Sequence, residues 1–89
     1  MGKVIIKARV MPENLEVNVD SLKEKIKQAI SKHGEFGRAV DVPIAFGLRA
    51  IEISFVLEDK GGVMTEVEDS IKELEGVGSF EIIDMTRAL

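Results

Sequence analysis

The sequence predicts an α+β fold. Its two layers follow the order βαββαβ, with a four-stranded antiparallel sheet and two helices on one face. Three observations predict it. Apolar residues alternate with polar ones over residues 3–11 and 49–57, as half-buried strands require. They recur every three or four residues from Val19 and again from Val63, as amphipathic helices require. Glycine, proline and short polar runs separate these stretches.

The first strand, residues 3–11, sends Val4, Ile6, Ala8 and Val10 one way and Lys3, Lys7 and Arg9 the other, with Ile5 adding apolar cover on the polar side. Pro12 and the polar Glu13-Asn14 end it, and Leu15 and Val17 are expected to tether the following loop to the core. The first helix aligns Val19, Leu22, Ile26, Ala29 and Ile30 on one face. Asn18, Asp20 or Ser21 supplies its N-cap, Ser21 and Glu24 having capping-box spacing. Lys32, His33 and Gly34 end it, cations at the negative pole and glycine as terminator.

A turn through Phe36 and Gly37 leads to the second strand, residues 38–42. The third strand, residues 49–57, presents Ile51, Ile53, Phe55 and Leu57 on one face and Ala50, Glu52, Ser54 and Val56 on the other. Glu58-Asp59-Lys60-Gly61-Gly62 is a flexible turn; the lysine and hydroxyl of a phosphate-binding loop do not follow its glycines. The second helix carries Val63, Val67, Ile71 and Leu74, begins with acidic residues as its dipole prefers, and ends at Gly76. The last strand, residues 77–85, holds Phe80, Ile82 and Ile83, and Thr86-Arg87-Ala88-Leu89 forms a short tail. Two helical crossovers and one hairpin in this order make the ferredoxin-like sandwich. One sheet face stays uncovered, with Lys3, Lys7 and Arg9 near Glu52 and Ser54.

Composition excludes several functions. A chain of 89 residues supports one domain with one modest core. The formal charge of −4 disfavours non-specific nucleic-acid binding, and the absence of Tyr and Trp removes most base-stacking platforms. The absence of Cys removes disulfides, thiolate metal sites and cysteine nucleophiles. His33, the single histidine, reads as a helix-end cation rather than a base. Glu66, Glu68, Asp69, Glu73 and Glu75 read as a solvated helix face, since metal ligation would want a histidine partner. No catalytic constellation, metal or cofactor is expected. The apolar runs are too short to span a membrane, and the lack of disulfides and of a signal-like start points to an intracellular protein. A protein-binding module and an RNA- or small-molecule-binding regulatory module remain as uses of the fold.

The stretch between the second and third strands is the most unusual: Pro43-Ile44-Ala45-Phe46-Gly47-Leu48. Pro43 lacks a backbone donor and belongs on an edge strand or a connection. Gly47 suits a sharp reversal into the next strand. Phe46 between them has two readings, a docking knob or a lid folded back on the core; most aromatics are core.

That stretch, followed by a strand ending in Val56-Leu57-Glu58-Asp59, resembles the guanine-nucleotide exchange domain of translation elongation factor 1-beta. The opening Met1-Gly2 and the strand into Met11-Pro12-Glu13 are similar to the short archaeal form, so the resemblance covers residues 1–89 as a single exchange domain. It implies a ferredoxin-like, cytoplasmic, monomeric factor with no bond chemistry and no cofactor, contacting neither nucleic acid nor membrane. The implied partner is elongation factor 1-alpha, GDP-bound or nucleotide-free, from which it speeds GDP release so that GTP can reload it for aminoacyl-tRNA delivery. The resemblance makes Pro43, Ile44, Phe46 and Gly47 partner-binding residues, with Phe46 matching the family's phenylalanine at the GTPase contact. Met85-Thr86-Arg87 matches a Met-x-basic pattern near the family's C-terminus. Arg87 then stands where the eukaryotic factor directs a lysine toward the magnesium site.

Overall fold

Strand alternation becomes a sheet by pairing the two most regular strands at its centre. The computed structural model describes residues 2–88; Met1 of the opening motif and Leu89 of the tail lie outside the described residues. The elements are β1 (Lys3–Pro12), α1 (Val19–Ser31), β2 (Glu35–Pro43), β3 (Arg49–Glu58), α2 (Val63–Lys72) and β4 (Val77–Ala88). The sheet order is β2-β3-β1-β4, with every neighbouring pair antiparallel. This is the ferredoxin-like sandwich.

Register explains the core. Val4, Ile6, Ala8 and Val10 of β1 lie opposite Leu57, Phe55, Ile53 and Ile51 of β3, so these eight core residues point to the same side. Leu22, Ile26 and Ile30 of α1 and Val67 and Ile71 of α2 close over that side. Asn18 is the N-cap of α1, its Oδ1 accepting from the Ser21 amide at 3.0 Å. Lys23 of α1 pairs with Asp41 of β2, and Arg49 approaches the same carboxylate at 3.5 Å, so the outer strand is tied to the helix layer by charge as well as packing.

The uncovered face carries the Arg9–Glu52 ion pair at 2.9 Å, with Lys7 in register with Ser54. Lys3 turns instead toward Glu35 of β2, at 3.8 Å. None of the four phenylalanines lies on this face: Phe36, Phe55 and Phe80 belong to the core or pack against it, and Phe46 stands on the hairpin.

Boundaries differ from those the sequence predicts at one helix and two strands. The helix α2 stops at Lys72 with Glu73 as its C-cap, short of Gly76, because its last turn opens into the tight turn that leads to β4. The second strand begins at Glu35, and Gly37 sits in a bulge between Phe36 and Arg38 instead of a turn. A Cβ on Gly37 would meet the Ser54 carbonyl oxygen at 2.7 Å, so glycine is needed for close approach of two strands. The last strand runs on to Ala88, because Thr86 and Arg87 find partners in Ile5 and Val4 at the start of β1. Backbone pairing, which side-chain periodicity does not report, extends it.

Phe55 is 1% exposed at the centre of this core. Replacing it with alanine should cost about 3–5 kcal/mol of folding stability in urea titrations. A loss below 1 kcal/mol would mean that the β1–β3 face is not the core.

Candidate partner-docking site

The connection between β2 and β3 turns on two residues with positive φ, Phe46 at 56° and Gly47 at 80°. The Leu48 amide donates to the Ala45 carbonyl at 3.0 Å, and the Ile44 amide donates to the Leu48 carbonyl at 2.9 Å. Positive φ at both central residues marks a type I′ turn, the reversal whose twist matches flanking strands. Gly47 is suited to its place. Phe46 is not: the first central position favours Asn, Asp or Gly, and a bulky side chain in the left-handed region is strained.

The strain gains no burial. Phe46 is 94% exposed, so the lid reading fails and the aromatic projects into solvent. Ile44, half-exposed, lies beside it, and Pro43 closes β2 opposite Arg49, on an outer strand where its missing donor leaves no gap in the sheet. A fully exposed phenylalanine on a conformation that phenylalanine disfavours needs a cause outside the fold, and strain of this kind concentrates at functional sites.

A second apolar side chain joins it. Leu15 in the β1–α1 loop is 65% exposed, which corrects its expected role as a tether. Val17 alone turns inward to pack on the core. Leu15, Phe46 and Leu48 line one shallow surface depression with Glu13, Asn14 and Glu16. The sequence held a signal for this, a leucine isolated among Glu13, Asn14 and Glu16, but a lone apolar residue in a loop does not reveal whether it points in or out.

Arg87 lies far away. It pairs with Val4 at the start of β1, on the helix side of β4, and its side chain is 80% exposed. Its Nε stands 3.5 Å from Asp59 Oδ2 in the β3–α2 loop. The Phe46 hairpin leaves the sheet at the other end, where β3 begins. Ten residues of β3 separate the two ends, about 30 Å of extended chain, in a molecule 43 Å along its longest axis. Pro43, Ile44, Phe46 and Gly47 thus cluster together, while Arg87 stands alone at the opposite end.

Among the described residues no three His, Asp or Glu side chains are grouped so as to hold a metal ion, and no helix is long and apolar enough to cross a membrane. His33 Nδ1 faces Glu66 Oε2 at 3.5 Å, linking the end of α1 to the start of α2. The fold thus carries one exposed, strained apolar knob at the end of its sheet, the geometry of a candidate docking domain.

The particular family follows from comparison with known proteins. Residues 5–88 match the model described as the EF-1 guanine nucleotide exchange domain. The chain is 36% identical over 89 residues to elongation factor 1-beta of Methanobrevibacter smithii, with both chains covered completely. It is 40% identical over 85 residues to elongation factor 1-beta of Archaeoglobus fulgidus, covering 96% of this chain and 97% of that one. The ACT domain from the GTP pyrophosphokinase of Chlorobium tepidum superposes with a TM-score of 0.65 at 17% identity, covering 91% of this chain and 99% of that chain, a likeness of fold alone. The chain belongs to the EF-1 guanine nucleotide exchange domain family, whose relatives here are archaeal, and its function is guanine-nucleotide exchange on elongation factor 1.

The turn geometry makes a direct prediction. Phe46→Gly should raise stability by about 0.5–1 kcal/mol by relieving left-handed strain, and Phe46→Ala should change it by less than about 0.5 kcal/mol. Chemical denaturation checks both. A loss of several kcal/mol in Phe46→Ala would mean that the ring is buried after all.

Proposed function

We propose that this protein releases GDP from elongation factor 1-alpha by gripping it at two points, with Phe46 docking one end of the domain and Arg87 acting at the other. The observation that carries this reading is Phe46, 94% exposed on a strained turn in a chain of the exchange family. Pro43, Ile44 and Gly47 hold that turn and flank the knob. The partner, GDP-bound or nucleotide-free, is engaged by a monomer working in the cytoplasm, without cofactor, nucleic acid or membrane, and the factor performs no bond chemistry.

The energetics are those of linkage. A factor that binds the nucleotide-free GTPase more tightly than the GDP-bound form must weaken GDP by the same free energy. Phe46 supplies affinity common to both states through apolar burial. Arg87 supplies the difference, because a guanidinium brought to the magnesium and phosphate site competes electrostatically with the metal or its ligands. Its contact with Asp59 is long and solvent-exposed, so leaving it costs little. Arg and Lys differ in shape, and the flat guanidinium pairs two oxygens of a carboxylate or phosphate at once. The sheet between them keeps the two points apart, so docking at one end aims the other.

Release of a fluorescent GDP from elongation factor 1-alpha tests this. Wild type should accelerate release. Phe46→Ala should require about tenfold more factor for the same rate, the scale of losing one well-buried interface anchor. Arg87→Ala should lower the maximal rate with smaller effect on the concentration needed. Full activity in Arg87→Ala would move the magnesium-side role to another residue, and no acceleration by folded wild type would end the reading.

A further inference from the structure

Three surface features stand apart from Phe46 and Arg87: the groove on the uncovered face near Lys7 and Arg38, the exposed Ile82 and Met85 on the outer strand β4, and Leu15 with its acidic neighbours. The groove and the β4 strip carry no indication of what covers them. Leu15 is different, because it adjoins the Phe46 hairpin and is held in place.

Its loop is pinned on both sides. The Glu13 amide donates to the Gly76 carbonyl at 2.8 Å, fixing the loop where it leaves β1. The Glu16 amide donates to Asn14 Oδ1 at 2.9 Å, a local Asn turn that closes around Leu15. Val17 then anchors the far side in the core. The tip is thus ordered and displays a leucine outward. A Cβ placed on Gly47 would lie 3.8 Å from Leu15 Cδ2, so the two loops are in van der Waals reach. Leu15, Phe46 and Leu48 are the apolar lining of one depression. Glu13 and Glu16, both exposed, line it too, and among the described residues neither carboxylate has a basic side chain within 4.0 Å.

We infer that Leu15 and Phe46 form a two-loop clamp that seats an apolar side chain of elongation factor 1-alpha, with Glu13 and Glu16 pairing to lysine or arginine beside it. This rests on the exchange reading and names a contact surface within it. Charge complementarity selects the occupant: an apolar cleft with unpaired acids in its lining is matched by an apolar residue flanked by bases. An ordered loop loses little entropy on docking, so a pinned leucine adds affinity that a mobile one would not. Leu15 supplies affinity and position, and leaves the maximal exchange rate to the opposite end of the domain.

The test measures both binding to GDP-bound elongation factor 1-alpha, by anisotropy of labelled factor, and exchange. Leu15→Ala should weaken binding at least fivefold and leave the maximal exchange rate within twofold of wild type. Leu15→Met should restore binding to within twofold, since a side chain of similar volume refills the cleft. The double change Glu13→Gln with Glu16→Gln should flatten the salt dependence of the dissociation constant. Circular dichroism at matched concentration confirms folding, which an exposed side chain should not disturb. If Phe46→Ala weakens binding while Leu15→Ala and the double variant match wild type in affinity and salt dependence, the clamp is overturned and the exchange reading stands. If wild type neither binds nor accelerates exchange, the reading beneath it falls and the clamp with it.

Discussion

The antiparallel pairing of β1 with β3 is the constraint on which the rest of the molecule depends. The core residues Val4, Ile6, Ala8 and Val10 of β1 and Ile51, Ile53, Phe55 and Leu57 of β3 face the helices together only in the observed register; a slip of one residue would turn one strand's apolar set outward. The same pairing decides which loops are neighbours. The end of β1 meets the start of β3, so the loop after Pro12 arrives beside the hairpin that precedes Arg49. Leu15 and Phe46 are about thirty residues apart in sequence and adjacent in space for that reason. At the other end the start of β1 lies between the end of β3 and the end of β4, which brings Asp59 and Arg87 together.

The sheet is therefore a spacer as much as a core. Its strands are rigid because their backbone groups are paired and their inner faces buried, whereas the two proposed contact regions sit on connections and on a strand end. This is the usual division between scaffold and contact residues. The proposed contact loop of this chain is strained as well as exposed. A type I′ turn with glycine or asparagine in place of Phe46 would be more stable, so the fold gives up some stability to hold an aromatic ring in solvent. Such a concession makes physical sense where the ring becomes buried on binding.

Most of the architecture was legible in the sequence because period two and period three-to-four report burial directly. The core strands and both helices follow from positions such as Val4, Ile6, Ile26, Ile53 and Val67. The misplaced features were governed by backbone pairing or by context. Gly37 reads as a turn because glycine marks bulges and turns alike, and only strand proximity separates the two. Thr86 and Arg87 read as tail because no apolar rhythm announces an outer strand. At the site, Pro43 and Gly47 predicted the reversal from their own stereochemistry, but the direction of Phe46 was undetermined until the positive φ and the exposure were known. Leu15 was misassigned for the same reason: hydrophobicity alone does not say whether a loop residue faces its own core or a partner's surface.

Methyl NMR of this protein titrated with elongation factor 1-alpha distinguishes docking at the hairpin end from docking on the uncovered sheet face. The methyls of Leu15, Ile44 and Leu48 should shift or broaden on binding, with Met85 responding beside Arg87, while Ile5, Val40 and Ile83 stay unchanged. Perturbation of Ile5, Val40 and Ile83 with Leu15, Ile44 and Leu48 silent would place the partner on the sheet face and contradict docking at the hairpin end.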